Sequence, residues 1–178
     1  MKRRNSNRLK KTAAVLLFLI CSSAVGKKPN IVIMVADDAG WGDFSISGNE
    51  VVETPRIDSL AHDGVRLDRY FVQPACAPTR AELLTGRYAL RSGVGGVSSG
   101  NERIEAGEKT IADSFKAAGH ATGIFGKWHN GAQWPYLPSA RGFEEVRCFM
   151  HGRGEIYFDE VFEDENGRKV KSEGYIDE

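Results

Sequence analysis

Apolar residues recur along this chain in runs and stripes that predict alternating strands and helices. Residues 31–36 form an unbroken apolar run, largely β-branched. That is the pattern of a central strand in a parallel sheet covered on both faces. Thr54-Pro55 supplies a helix start, and residues 56–62 set Ile57, Leu60 and Ala61 on one face before Asp63-Gly64. Residues 65–72 alternate as a strand does and deliver the chain to residues 74–86. There Pro78 fits a first helical turn, where its missing N–H has no partner to lose, and residues 81–84 run on to Thr85-Gly86. Residues 111–118 have amphipathic helical spacing and stop at Gly119. Residues 121–125 predict a second core strand, followed by Gly126-Lys127-Trp128-His129. From residue 141 to 154 the pattern fades into loop and short strand. Residues 156–162 and 169–170 flank Asp164-Glu165-Asn166-Gly167, a hairpin turn. The glycine-rich residues 92–100 lack a Walker lysine and the G-x-G-x-x-G spacing, so they read as a flexible connection. No internal repeat appears, and no linker marks a second domain.

Charge changes this picture at one end. The 178 residues balance 24 basic against 24 acidic side chains. Six of the basic residues (Lys2, Arg3, Arg4, Arg8, Lys10 and Lys11) fall in residues 1–26, which hold no acid. Without those residues the net charge is near −6, which argues against a general nucleic-acid binder. Residues 1–26 have the order of an export signal: a basic start, an apolar core at 13–20, then small residues at 21–26. The core is too short for a spanning helix of about 20 residues. The expected mature start is Lys27, in the periplasm or outside the cell. Membrane contact is expected only through an uncleaved leader.

The polar residues at the ends of the apolar segments carry the chemistry. Asp37-Asp38 follow the first predicted strand and precede Gly40-Trp41-Gly42-Asp43. Paired carboxylates at the C-terminal end of a core strand suit a hard cation. Cys76 stands at a predicted helix start, where free N–H groups favour an anion, and Arg80 follows one turn later. Lys127 and His129 emerge after the second strand. Cys21 leaves with the leader, so Cys76 and Cys148 remain. An exported pair can form a disulfide; alternatively Cys76 is functional and Cys148 a small buried residue. No C-x-x-C supports a zinc or redox site.

Cys76-Ala77-Pro78-Thr79-Arg80 with Leu83-Leu84-Thr85-Gly86 resembles the signature of the sulfatase family in the alkaline phosphatase superfamily. Gly126-Lys127-Trp128-His129 is similar to the family's second signature. Pro29-Asn30-Ile31-Val32 through Asp43 is similar to its first strand and metal loop. The resemblance covers residues 28 to about 150. It implies an α/β fold, the N-terminal part of a large mixed or parallel sheet sandwiched by helices, with residues 27–178 as part of a catalytic domain. It also implies a sulfuric ester hydrolase acting on aryl or carbohydrate sulfates. Cys76 would be oxidised to formylglycine by a maturation enzyme, and the aldehyde hydrate would attack sulfur. By motif match Asp37, Asp38 and position Cys76 would ligate Ca²⁺. Arg80 would hold formylglycine and sulfate, Lys127 would neutralise sulfate oxygens, and His129 would bond the diol.

Thr79 stands where the family more often has serine, and Ala75 and His120 are also off its consensus. Family members are several-fold longer, and the chain is expected to be truncated, with weak or absent activity of residues 27–178. The alternatives are a phosphate or phosphonate ester hydrolase of the same superfamily, or an inactive sulfatase-like protein. The spacing argues against a tyrosine-phosphatase loop, which needs five residues between cysteine and arginine, whereas three separate Cys76 from Arg80.

Overall fold

The computed structural model describes residues 28–154 and 158–174. The leader at 1–26, Cys21, Lys27 and the start of the predicted hairpin's first arm, residues 156–157, lie outside the described residues. The chain divides into two units, Met1–Ala36 and Asp37–Glu178.

In the first unit, residues 28–36 have neither helix nor strand, and all are exposed. The predicted central strand at 31–36 is therefore not formed. A β-branched apolar run fits a pleated, half-buried surface, but a strand exists only through its ladder. No ladder among the described residues includes this segment. Among the described residues no helix is long and apolar enough to cross a membrane.

The second unit opens with two 3₁₀ turns, Trp41–Asp43 and Ser45–Ser47, then helix α1, Pro55–Asp63. The Asp58 carboxylate ties these pieces together, accepting from Ser45 Oγ at 2.6 Å, Ile46 N at 3.1 Å and Thr54 Oγ1 at 2.9 Å. The predicted helix start at Thr54-Pro55 is correct. Thr54 does not cap its own helix, however; its hydroxyl is used by Asp58 and Ser45. Residues 65–72 are exposed and form no strand. Their alternation had no partner strand to satisfy the backbone.

Helix α2 is Cys76–Thr85 and α3 is Ile111–Ala117. The sheet follows as β1 Gly123–Lys127, β2 Glu145–Phe149, β3 Val161–Glu163 and β4 Lys169–Lys171, in spatial order β1-β2-β3-β4. Strands β1 and β2 are parallel, pairing Gly123 with Glu145 through Lys127 with Phe149. The other two pairings are antiparallel, and β3 and β4 form the predicted hairpin around 164–167. The architecture is α/β with a mixed sheet, as expected. Strand β1 begins and ends two residues later than predicted, so Lys127 belongs to the strand rather than following it.

Two buried clusters hold α2 in place. One comprises Ala77, Ala81, Ala89, Val94 and Ile104; the other Trp128, Val146, Cys148 and Met150. Leu84 packs against both. Ala77, Ala81 and Leu84 share one helical face by their spacing. The two fully buried alanines there let the α2 backbone approach its neighbours closely. The link from β1 to β2 turns through a 3₁₀ segment, Pro138–Arg141, and Gly142. Gly142 has φ +92°, and a Cβ there would overlap the backbone at Ala112 and Asp113, so only glycine fits. Arg141 is buried and donates from Nη1 to Ala106 O and from Nη2 to Glu105 O, both at 2.7 Å. Arg141 is thus a structural clamp on the loop before α3.

Candidate active site

Helix α2 presents its first residue, Cys76, at the positive end of the helix dipole. Gly86 ends the helix in the left-handed conformation, φ +66°, returning its N–H to Glu82 O at 2.8 Å. Thr79 Oγ1 donates to Gln73 O and Ala75 O, both at 2.9 Å, which closes the loop leading into Cys76.

Strand β1 supplies the opposing wall. Its ladder with β2 continues past the strand, with Trp128 N donating to Phe149 O at 3.1 Å and His129 N to Met150 O at 3.2 Å. His129 has φ +60°, a sparsely populated backbone state for a non-glycine residue. That turn brings its ring to Cys76, with Sγ to Nδ1 at 3.2 Å. The other ring nitrogen, Nε2, lies 2.8 Å from Val97 O. A carbonyl only accepts, so Nε2 carries the proton. Burial pushes the His129 pKa down and outweighs the Val97 hydrogen bond, and the Lys127 and Arg80 charges add to the depression. The ring is therefore neutral at pH 7, and Nδ1 is an acceptor facing the Cys76 side chain.

Beside this pair lies a compact charge cluster. Arg80 donates from Nη1 to Lys127 O at 2.6 Å and pairs through Nη2 with Asp37 Oδ1 at 3.3 Å. Lys127 Nζ reaches Asp37 Oδ2 at 2.5 Å. Burial pushes the Asp37 carboxyl up, but the hydrogen bonds and charges of Lys127 and Arg80 prevail and hold it below the ordinary carboxylate range. Two cations face one carboxylate. The buried Arg80 Nε has no partner among the described residues.

Asn130, fully buried, completes the frame. Its Nδ2 donates to Ala77 O and Glu102 O, both at 3.1 Å, joining α2 to the loop after residue 100. Its place directly after the lysine–histidine motif was the only sequence signal for it. The connection at 92–100 is also more than a tether, because its Val97 carbonyl fixes the His129 tautomer.

The structure thus brings Cys76 to His129, and Arg80 and Lys127 to Asp37. It does not gather the three proposed metal ligands. Asp38 is exposed with φ +59°, both Asp37 oxygens face cations, and the Cys76 thiol is hydrogen-bonded to His129. Among the described residues no group of three His, Cys, Asp or Glu side chains is placed to hold a metal. Carboxylates have the right chemistry for Ca²⁺, which takes about 6–8 oxygens, but two of them fall short in number. Nor do the aspartates follow a formed strand, as the sequence pattern implied.

Cys76 and Cys148 are both free, so they form no disulfide. Burial pushes the Cys148 thiol up to about 12, and its side chain is fully enclosed. Since the thiolate is the reactive form, iodoacetamide applied to the folded, unmatured protein is expected to label Cys76 and spare Cys148 until denaturant is added. Peptide mapping checks this, and equal labelling of both would contradict the packing described.

A sulfatase family model matches residues 29–167. Arylsulfatase G of Homo sapiens is 42% identical over 132 residues, covering 71% of this chain and 25% of that protein. The arylsulfatase of Klebsiella aerogenes is 34% identical over 166 residues, covering 87% and 35% respectively. The solved structure of Ps i-CgsB in complex with k-i-k-neocarrahexaose superposes with a TM-score of 0.70 at 29% identity, covering 84% of this chain and 39% of that one. The chain spans 25% to 39% of the length of these relatives. With the family model matching most of its length, and the cysteine, arginine, lysine and histidine of both signatures set around one end of α2, the chain belongs to the sulfatase family.

Proposed function

We propose that this chain forms the nucleophile-bearing, sulfate-binding part of a sulfuric ester hydrolase acting on aryl or carbohydrate sulfates. The observation that carries this reading is the Cys76–His129 contact beside the Arg80–Lys127 pair. Position 76 suits conversion to formylglycine: its side chain is half-exposed, unbridged, and 3.2 Å from an acceptor nitrogen. When present, the hydrated aldehyde supplies a hydroxyl nucleophile and a route to release sulfate. Everything else is work for the chain's own residues. His129 Nδ1 accepts a proton from a hydroxyl at position 76, while Val97 O holds the ring in the productive tautomer. Arg80 and Lys127 offset charge on the sulfuryl oxygens, and Asp37 keeps both cations aligned. The α2 N-terminus adds its dipole to the same spot.

Asp37 is engaged by Arg80 and Lys127 and Asp38 is exposed, so the described residues do not by themselves hold the Ca²⁺ that the family resemblance implies. In this reading a formylglycine-generating enzyme is a partner, and the leader at residues 1–26 directs the chain to the periplasm or the exterior. The oligosaccharide named with Ps i-CgsB supports a saccharide sulfate as substrate.

The test is mass spectrometry of the tryptic peptide spanning residues 70–80, from protein exported by a host with working maturation. An aldehyde mass at Cys76 is expected; an intact thiol would remove the mechanism. Matched aryl sulfate and aryl phosphate assays follow. Dominant phosphatase activity would overturn the sulfate assignment.

A further inference from the structure

Outside the Cys76–His129 contact, the site opens into a cavity of about 750 Å³. Its lining includes Arg103, His151 and Arg153 as well as Cys76 and His129. None of Arg80, Lys127 or Asp37 lines it, so the charge here is separate from the cluster that serves the scissile sulfate. Arg103 and Arg153 are exposed, and no carboxylate among the described residues pairs with either. Glu102 is the acid in the lining, and its Oε2 is engaged by Gly100 N at 2.9 Å.

Both arginines are placed rather than merely present. The Arg103 guanidinium lies 5.5 Å from the Tyr136 ring centroid, a cation–π geometry. It also packs against Gly100, where a Cβ would overlap Nη2, and its stem passes 3.2 Å from the Cβ position of Gly131. Arg153 and His151 flank Gly152, whose missing Cβ leaves room for the His129 ring at 2.6 Å. That contact anchors the two flanking residues beside the reacting group. A guanidinium is a fork of donors matched to carboxylate and sulfate. Two of them on the wall of a substrate cavity, with no carboxylate partner among the described residues, ask for an anion from the ligand.

We infer that Arg103 and Arg153 form a subsite for a second anionic group, so that the substrates are saccharide sulfates carrying a further carboxylate or sulfate. The inference rests on the sulfate-ester reading above and deepens it. A simple aryl sulfate would fill the position beside Cys76 and leave both arginines unused.

The test is calorimetric binding of three sugars to the 178-residue chain with Cys76 unconverted: one monosulfated, one with an added carboxylate, one with an added second sulfate. At least one doubly anionic sugar is expected to bind about tenfold more tightly than the monosulfated one, as charge-assisted hydrogen bonds allow. Arg103→Ala and Arg153→Ala should each erase most of that preference and leave monosulfated binding unchanged. Arg→Lys at either position should restore part of it. The carboxylate and second-sulfate arms show which anion the subsite takes. Equal affinity for all three sugars would overturn the subsite while leaving the sulfate site standing. A preference that survives both alanine variants would overturn the residue assignment. No binding of the monosulfated sugar would sink the sulfate-ester reading itself. Among the described residues Arg153 has no ring contact like that of Arg103 with Tyr136, so its variant keeps the test open if Arg103→Ala unfolds.

Discussion

Trp128→Ala is expected to destabilise the fold by about 3–5 kcal/mol, the range for deleting a large buried aromatic. The side chain is 1% exposed and belongs to the cluster with Val146, Cys148 and Met150. Its ring meets Phe143 edge-on at 6.1 Å between centroids. Its indole N–H also donates to Gly131 O at 3.0 Å and Tyr136 O at 3.1 Å, pinning the loop after the lysine–histidine motif. Alanine would open a cavity and strand both carbonyls. Domains hold only about 5–15 kcal/mol in total, so much of the folded margin would be gone. Trp128→Phe keeps most of the apolar body and loses the donor, and about 1–3 kcal/mol is expected. Urea unfolding of the two variants checks the order. Similar midpoints for Trp128→Ala and the parent would show that the ring is not a core element.

For any turnover of an aryl sulfate by the matured protein, Arg80→Ala is expected to lower kcat/KM by about 10²–10³-fold, the effect of removing one preorganised donor from a developing anion. The side chain is 13% exposed and reaches both Lys127 O and Asp37. Its loss removes charge from the anion site and frees Asp37 to bind Lys127 alone. Arg80→Lys keeps the charge without the fork, so it should recover only part of the rate. A readout independent of turnover is the rise in melting temperature on adding inorganic sulfate. The parent should show it and Arg80→Ala should not. If both proteins respond equally to sulfate, Arg80 is a structural tie and not an anion ligand.

How far the sequence could be read is clearest at three places. The cysteine–arginine and lysine–histidine motifs were legible because each is local: helix punctuation around Pro78 and Gly86, and polar residues ending an apolar strand. That they meet was not legible. The 3.2 Å Cys76–His129 contact spans 53 positions and depends on the left-handed turn at His129. Val97 and Asn130 act through a carbonyl and an amide in a loop and a turn, where neither periodicity nor charge gives a signal. The failures at 31–36 and 65–72 have one cause. Apolar alternation and β-branching state a preference for a pleated surface, but a ladder requires a second strand that a single segment does not specify.

By itself, the sequence determined the helix boundaries, the hairpin turn, the family and the identity of the charged residues, because these depend on near neighbours. Only the tertiary structure decided which charges share a site and which lack a carboxylate partner among the described residues. Asp37 is taken by Arg80 and Lys127, Asp38 is exposed, and Arg103 and Arg153 stand at a cavity wall with no carboxylate partner among the described residues. Electrostatic pairing depends on distance in space, and that is set by packing around α2 rather than by order along the chain.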